Sequence, residues 1–283
     1  MTMKVHIVSL QRSGSKSLYN AIHKAMVTQE LNPLMFDNGD TLGEFLHCWS
    51  EYGYKFGLNA QKPFDPDADI VFRTREEFFE YDGTNFTPRV DDGKLTWVPT
   101  TLKYQNQPRG QMFHKRVDIL REVDSFVVKT QVASLFEDVY STYRSEYESI
   151  LFRSDLFTHT VFLTPDDPVK WLCSNYLCDH SGVFVKCTSQ EEAALKFKEE
   201  PLTIPTEYMA LLSERFQEHK RLTRVYPGSE LLTSDLNEMG IIGLEYYLGF
   251  PLVVEEEREF SAFDYPTMIA NYAEVQNAAD KLR

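Results

Sequence analysis

Cysteine is scarce in this 283-residue chain: Cys48, Cys173, Cys178 and Cys187 are the whole complement, and none forms a CxxC pair. That spacing offers neither a zinc ribbon nor a disulfide framework, so free thiols are expected. Positive charge is also in short supply, with 29 Lys and Arg against 43 Asp and Glu and a formal net charge of −14. A surface of that sign repels nucleic acid and anionic membrane, so neither is expected as a partner. Any anionic ligand has to meet a local basic pocket. No stretch approaches the ~18 uninterrupted apolar residues of a membrane helix, and the N-terminus enters a strand-like pattern without a signal-peptide hydrophobic region. The expectation is a soluble, cytoplasmic protein. Its 42% hydrophobic and 13% aromatic content suffices for one large core or two modest ones, which excludes disorder.

What is present is an alternation of strand and helix signals. Lys4 to Leu10 (KVHIVSL) is a short β-branched run, and Ser15 to Val27 then places Leu18, Ile22, Ala25 and Met26 on one helical face. Strand signals return at Ser125–Lys129 (SFVVK), before a helical pattern over Leu135–Phe152, and at Thr158–Leu163 (THTVFL), before a helix over Pro168–Tyr176. Pro205–Val225 is helical, Glu230–Leu232 is a short candidate strand, and a helix over Ser234–Leu248 is stopped by Gly249 and Pro251. Strands alternating with helices imply a mostly parallel sheet with helical crossovers, an α/β fold.

Residues from about 59 to 109 differ in texture, being rich in Pro, Gly, Asp and aromatics, and are expected to form an irregular insertion or lid on a single domain spanning 1–283. Within it, Asp91, Asp92 and Gly93 between alternating residues predict a β-hairpin over Asp82–Pro99. The acidic run Glu255–Glu257 is expected to be a solvated loop, and Tyr265–Arg283 a terminal helix.

The chemistry concentrates where the first strand feeds the first helix, in Gln11, Arg12, Ser13, Gly14, Ser15, Lys16 and Ser17. A helix N-terminus leaves backbone amides unpaired and partly positive, so a phosphate or sulfate set there gathers several donors at once. Gly14 lets the backbone curl close, the three serines add hydroxyls, and Arg12 and Lys16 add two full charges. A serine merely capping the helix is the plainer alternative, and the two cations directly after the first strand weigh against it. Lys16 and Ser17 also match the end of the nucleotide loop GxxxxGK[ST], but Leu10 and Ser15 stand where its glycines belong.

These residues resemble the sulfotransferase superfamily, whose phosphosulfate loop follows the first strand as Lys or Arg, Ser or Gly, Gly, and two Ser or Thr residues; Arg12, Ser13, Gly14 and Ser15 match, and Lys16 departs. Three further segments fit in order. The family's second phosphate motif is similar to Val161–Ser174, with Pro168 and Ser174 in register and Asp166 where the family has Arg. The strand ending Lys-Thr-His resembles Val127–Gln131, with Lys129 and Thr130 matching and Gln131 in place of His. Glu230–Leu252 is similar to the late strand and helix that end in a Leu-Gly-Phe-Pro turn.

The resemblance implies a three-layer α/β sandwich related to P-loop nucleotide hydrolases, and transfer of a sulfuryl group from 3′-phosphoadenosine 5′-phosphosulfate to an acceptor hydroxyl or amine, without a metal. It implies catalytic roles for Arg12, Lys16 and Lys129, and donor binding by Arg12, Ser13, Gly14, Ser15, Lys16, Ser17 and Ser174. With Asp166 where the Arg would be, Lys170 or Lys186 is the candidate substitute cation. With Gln131 where the His would be, His47, His114 and Glu44 are the candidate bases, since an amide does not take up a proton near neutral pH.

Two other readings remain open at this level. One is a kinase-like phosphotransferase using Lys16 on phosphate and Ser17 on magnesium; the other is a sulfotransferase-like binding module without catalysis, which Asp166 and Gln131 would permit. The acceptor is expected to be a carbohydrate or small molecule, with Trp49, Tyr52, Tyr54 and Trp97 as candidate stacking rings.

Overall fold

The computed structural model describes residues 2–36, 43, 45–46, 85–91, 94–100, 109–133, 144–153, 155–181, 188–236, 238–252 and 263–283. The expectations for Glu44, His47, Cys48, Trp49, Tyr52, Tyr54, Cys187, Lys186, the acidic run at 255–257 and most of 59–109 fall outside those residues, as do the side chains of Trp97 and His114.

The chain begins with β1 (Met3–Ser9), the loop 10–14 and α1 (Ser15–Thr28). Leu18, Ala21, Ile22, Ala25 and Met26 are buried along α1 at helical spacing, so one stripe of the helix lies on the sheet. Burying Leu18 or Ile22 completely contributes about 2 kcal/mol each. After a brief β2 (Met35–Phe36), the hairpin predicted from Asp91–Gly93 forms as β3 (Asn85–Asp91) and β4 (Lys94–Thr100), in antiparallel register with Asp91 opposite Lys94. β2 adds to it in parallel, making a small sheet of order β2-β4-β3 that no local pattern announced.

Next come α2 (Arg109–Glu122), β5 (Ser125–Gln131), α3 (Arg144–Arg153), β6 (His159–Thr164) and α4 (Pro168–Ser181). α5 (Thr188–Glu199), α6 (Thr206–Val225) and β7 (Ser229–Leu232) follow. A 3₁₀ turn (Thr233–Leu236) then precedes α7 (Glu238–Leu248), and the chain ends with α8 (Tyr265–Met268) and α9 (Tyr272–Asp280). The main sheet has the order β5-β1-β6-β7, and every described pair in it is parallel. The fold is α/β, as the alternation implied.

Side chains alternate across this sheet, and each face closes its own core. Met3, Val5, Ile7, Val127, Val161, Leu163 and Leu231 pack with α1 and α7 through Leu18, Ile22, Ile241, Leu244 and Leu248. On the opposite face Val8, Phe126, Val128 and Phe162 pack with α2, α3, α4 and α6 through Val117, Leu151, Leu172, Leu212 and Phe216.

Two helix expectations need correction. The single terminal helix over 265–283 is divided, because Ile269 turns to extended backbone and bridges Leu202, while the Asn271 side chain bonds both Ile204 N at 2.9 Å and Ile204 O at 3.0 Å. The late helix does not run from Ser234: Thr233–Leu236 is a 3₁₀ turn in which the Asp235 carboxylate accepts from Leu232 N. Its end at Gly249 is as expected, with φ +79° and the amide donating to Glu245 O at 2.8 Å.

Candidate active site at the carboxyl edge of the sheet

Parallel strands bring their carboxyl ends to one edge, and the register fixes which residues meet there. Ser9 stands opposite Gln131 on β5 and Leu163 on β6, so the loop after β1, the end of β5 and the β6–α4 turn share that edge. Lys129, two residues back from Gln131, stands opposite Ile7 on the same face of β5, the face covered by α1.

The loop itself is wound tightly. Arg12 has φ +61° and Gly14 has φ +81°, two left-handed residues separated only by the fully buried Ser13. Left-handed backbone costs a non-glycine residue about 1 kcal/mol or more, so Arg12 is held there by its surroundings. Among the described residues, three bonds hold the loop. Ser13 Oγ donates to Leu10 O at 2.6 Å, Trp171 Nε1 on α4 donates to Gln11 O at 2.7 Å, and Thr233 Oγ1 donates to Ser13 O at 3.3 Å. The Thr233 hydroxyl lies equally close to Thr164 O, so it sits between the first loop and the end of β6.

This winding leaves the first turn of α1 with unpaired donors. Gly14 is the N-cap and supplies no side-chain cap, no acidic residue occupies the first turn, and the first amides bonded within the helix are those of Ser17 and Leu18, both to Gly14 O. The amides of Gly14, Ser15 and Lys16 have no acceptor among the described residues. Successive free amides at a left-handed turn and a helix start form a concave donor set for an oxyanion. Two hydroxyls beside it are also unsatisfied: Ser17 Oγ on α1 and Ser9 Oγ at the end of β1 are buried without a hydrogen-bond partner.

The cations are arranged around this set. Arg12 Nε donates to Ser174 Oγ at 3.4 Å, bringing two of the expected donor-binding residues together although 162 positions separate them. Arg12 also acts electrostatically on Cys178, one turn further along α4; burial nonetheless pushes that thiol above its ordinary range. Lys16 is exposed on α1 and Lys129 is half-buried on β5. Asp166 is exposed in the β6–α4 turn, and the neighbouring Asp167 caps α4 by accepting from Lys170 N at 3.1 Å, which gives that turn a structural role.

Neither His6 nor His219 offers an open base at this edge. His6 Nε2 is 2.9 Å from Thr130 Oγ1, its ring stacks on Phe157 at 4.3 Å, and complete burial pushes its pKa down to about 3. His219 is buried beside Phe162, and burial pushes it down to about 4. The single Thr164 hydroxyl proton goes to Glu230 at 2.8 Å, so at 3.0 Å His219 donates to Thr164 from Nε2. Both imidazoles are neutral core groups.

Arg12, Ser13, Gly14, Ser15, Lys16, Ser17 and Ser174 therefore gather at one end of the sheet, with Lys129 on the adjoining strand. Trp171 and Thr233 escaped the sequence reading, since each reaches the loop across 160 or more positions and carries no local signal. Compared with known proteins, the chain matches no family model and no curated sequence.

Proposed function

We propose that this chain is a three-layer α/β sandwich of the P-loop and sulfotransferase kind, and that it transfers a sulfuryl group from 3′-phosphoadenosine 5′-phosphosulfate to a carbohydrate or small-molecule hydroxyl or amine in the cytoplasm. The observation that carries the reading is the trio of amides at Gly14, Ser15 and Lys16 that have no acceptor among the described residues, next to the left-handed Arg12 at the carboxyl edge of a parallel sheet.

The 5′-phosphosulfate would lie on those amides with Arg12 and Lys16 against its oxygens. An acceptor oxygen attacks sulfur in line as the bond from sulfur to the bridging oxygen breaks, and the departing phosphate gains negative charge. Fixed cations and amides stabilise that charge more in the transition state than in the ground state. Lys129, on the strand beside the loop, would approach the same group, and Ser174 would hold the Arg12 guanidinium in place. The proton leaving the acceptor passes to solvent or to a base outside the described residues.

One observation favours a second reading. The buried, unpartnered Ser17 Oγ stands in the first turn of α1, where a kinase-like loop would place a magnesium ligand. A thermal-shift comparison separates the two. Adenosine 3′,5′-bisphosphate, the product of sulfuryl transfer, should stabilise the folded chain by about 2.7 kcal/mol at a hundred times its Kd, and ATP with Mg²⁺ should not. Stabilisation only by ATP with Mg²⁺ would assign a phosphotransferase, and silence with both would leave a binding module of another kind.

A further inference from the structure

Arg215 on α6 is a cation without a counter-ion. It is half-buried, its Nε is closed to solvent and has no hydrogen-bond partner, and no carboxylate pairs with it among the described residues. Holding a guanidinium in that state costs free energy that a bound anion would offset. Two turns further along the same helix, Arg221 is bonded by both Glu218 and Glu148, so α6 does pair its inward cations elsewhere.

Helical spacing turns Arg215 inward. Tyr208, Arg215, His219 and Leu222 fall on one stripe of α6. Tyr208 donates to Asp179 on α4 at 2.5 Å, His219 donates to Thr164 at the end of β6, and Leu222 is fully buried in the core. The register fixes the height of the residue as well. β7 begins opposite Val161 while His219 meets Thr164, so α6 descends towards the amino edge of the sheet, and the residues before His219 lie beyond the carboxyl edge. Arg215 stands one turn, about 6 Å, beyond His219.

α4 rises from that same edge. α6 packs along it in the opposite direction, with Tyr208 against Tyr176 at 5.0 Å and Phe216 against Trp171 at 5.4 Å. Arg12 meets α4 on the neighbouring flank, bonding Ser174 and acting electrostatically on Cys178, while the Tyr208 hydroxyl senses both Cys178 and Arg215. Two guanidiniums therefore approach α4, Arg12 from the loop and Arg215 from α6. The Asp179 carboxylate is occupied by Tyr208, and Asp166 stands exposed in the turn where the resemblance has Arg.

We infer that Arg215 is the specificity residue for the second phosphate of the donor, the one on the ribose 3′ position, in place of the cation that Asp166 removes. The inference rests on the transferase reading and assigns within it a residue that no motif marks. A phosphate set against the guanidinium fork gives Arg215 its counter-ion, and charge-assisted pairs of that geometry are the strong ones.

Calorimetric titration of the full chain with adenosine 3′,5′-bisphosphate and with adenosine 5′-monophosphate tests this. The unmodified chain should prefer the bisphosphate by about tenfold or more. Arg215→Gln should weaken the bisphosphate by about the same factor and leave the monophosphate within about twofold. Its melting temperature should not fall, because an unpaired charge has been removed. Arg215→Lys, which keeps the charge and loses the fork, should lose less of the preference than Arg215→Gln. A preference retained in both variants would overturn the inference and leave the transferase reading standing. Equal weakening of the two nucleotides would make Arg215 a structural residue and overturn it as well. If the unmodified chain binds neither nucleotide, or binds both equally, the donor reading fails and the inference with it.

Discussion

The Trp171 indole N–H donates to the Gln11 carbonyl at 2.7 Å, tying the first loop of the chain to a helix that begins 157 residues later. The bond holds the backbone immediately before the left-handed Arg12, so the loop's shape depends on a side chain outside it. Trp171→Phe keeps an aromatic ring against Phe216 and removes the donor. A loss of about 1 kcal/mol in urea unfolding is expected, together with weaker binding of adenosine 3′,5′-bisphosphate by calorimetry. Unchanged affinity would show that the loop keeps its shape without the tether.

Gly14 should tolerate no side chain. Its φ is +81°, and a Cβ there would sit 3.0 Å from Leu236 Cδ1. Gly14→Ala is expected to destabilise the fold by about 1–2 kcal/mol. Nucleotide affinity should fall by more than that stability change explains, because the three unpaired amides start at this residue. Paired measurement of melting temperature and Kd resolves the two effects.

Gly228 provides the contrast. A Cβ at this position would lie 2.7 Å from both Phe162 Cε2 and the Thr160 carbonyl, and the carbonyl belongs to sheet backbone. Gly228→Ala should lower stability by about 2 kcal/mol through overpacking while nucleotide affinity in the remaining folded protein stays within twofold. An affinity loss matching that of Gly14→Ala would mean that the β7 end of the sheet shapes the site.

Acid should weaken the fold before carboxylates titrate. The His6 and His219 pKa values are pushed down to about 3 and about 4 by burial, against 6.5 in the unfolded chain. Below pH 6.5 the unfolded chain therefore binds more protons than the folded one, so stability is full above that pH and is lost as pH falls towards the folded values. Each histidine should contribute a slope on the order of 1 kcal/mol per pH unit. Burial also lowers His23 and His159, so urea midpoints at pH 7, 6 and 5 measure the sum of all four, and His219→Gln, which retains a donor for Thr164, should remove part of the slope.

The main sheet was readable because its strands are short β-branched runs separated by helices with apolar stripes, signals confined to one segment at a time. The same holds for the loop, where Arg12, Gly14 and Lys16 lie within five positions. Sequence did not show what closes around it. Thr233 reaches Ser13 across 220 positions, and Ser9 meets Gln131 only through the register of β1 and β5. The break at Ile269 was equally hidden, since its cause is a bridge to Leu202 rather than any breaker in the local sequence. Asp167 shows the complementary case: beside Asp166, which stands where the resemblance has Arg, its carboxylate caps α4, a role that no motif announced.

The order β5-β1-β6-β7 also sets a timetable for synthesis. β1 leaves the ribosome first, yet both of its neighbours are made more than a hundred residues later. Until Gln131 has emerged, β1 is an apolar strand with two unpaired edges, and until Thr164 follows it keeps one. Ribosome-stalled chains ending before β6 should be chaperone clients that cannot bind nucleotide, and closing such distant pairs makes the folding of the whole chain slow.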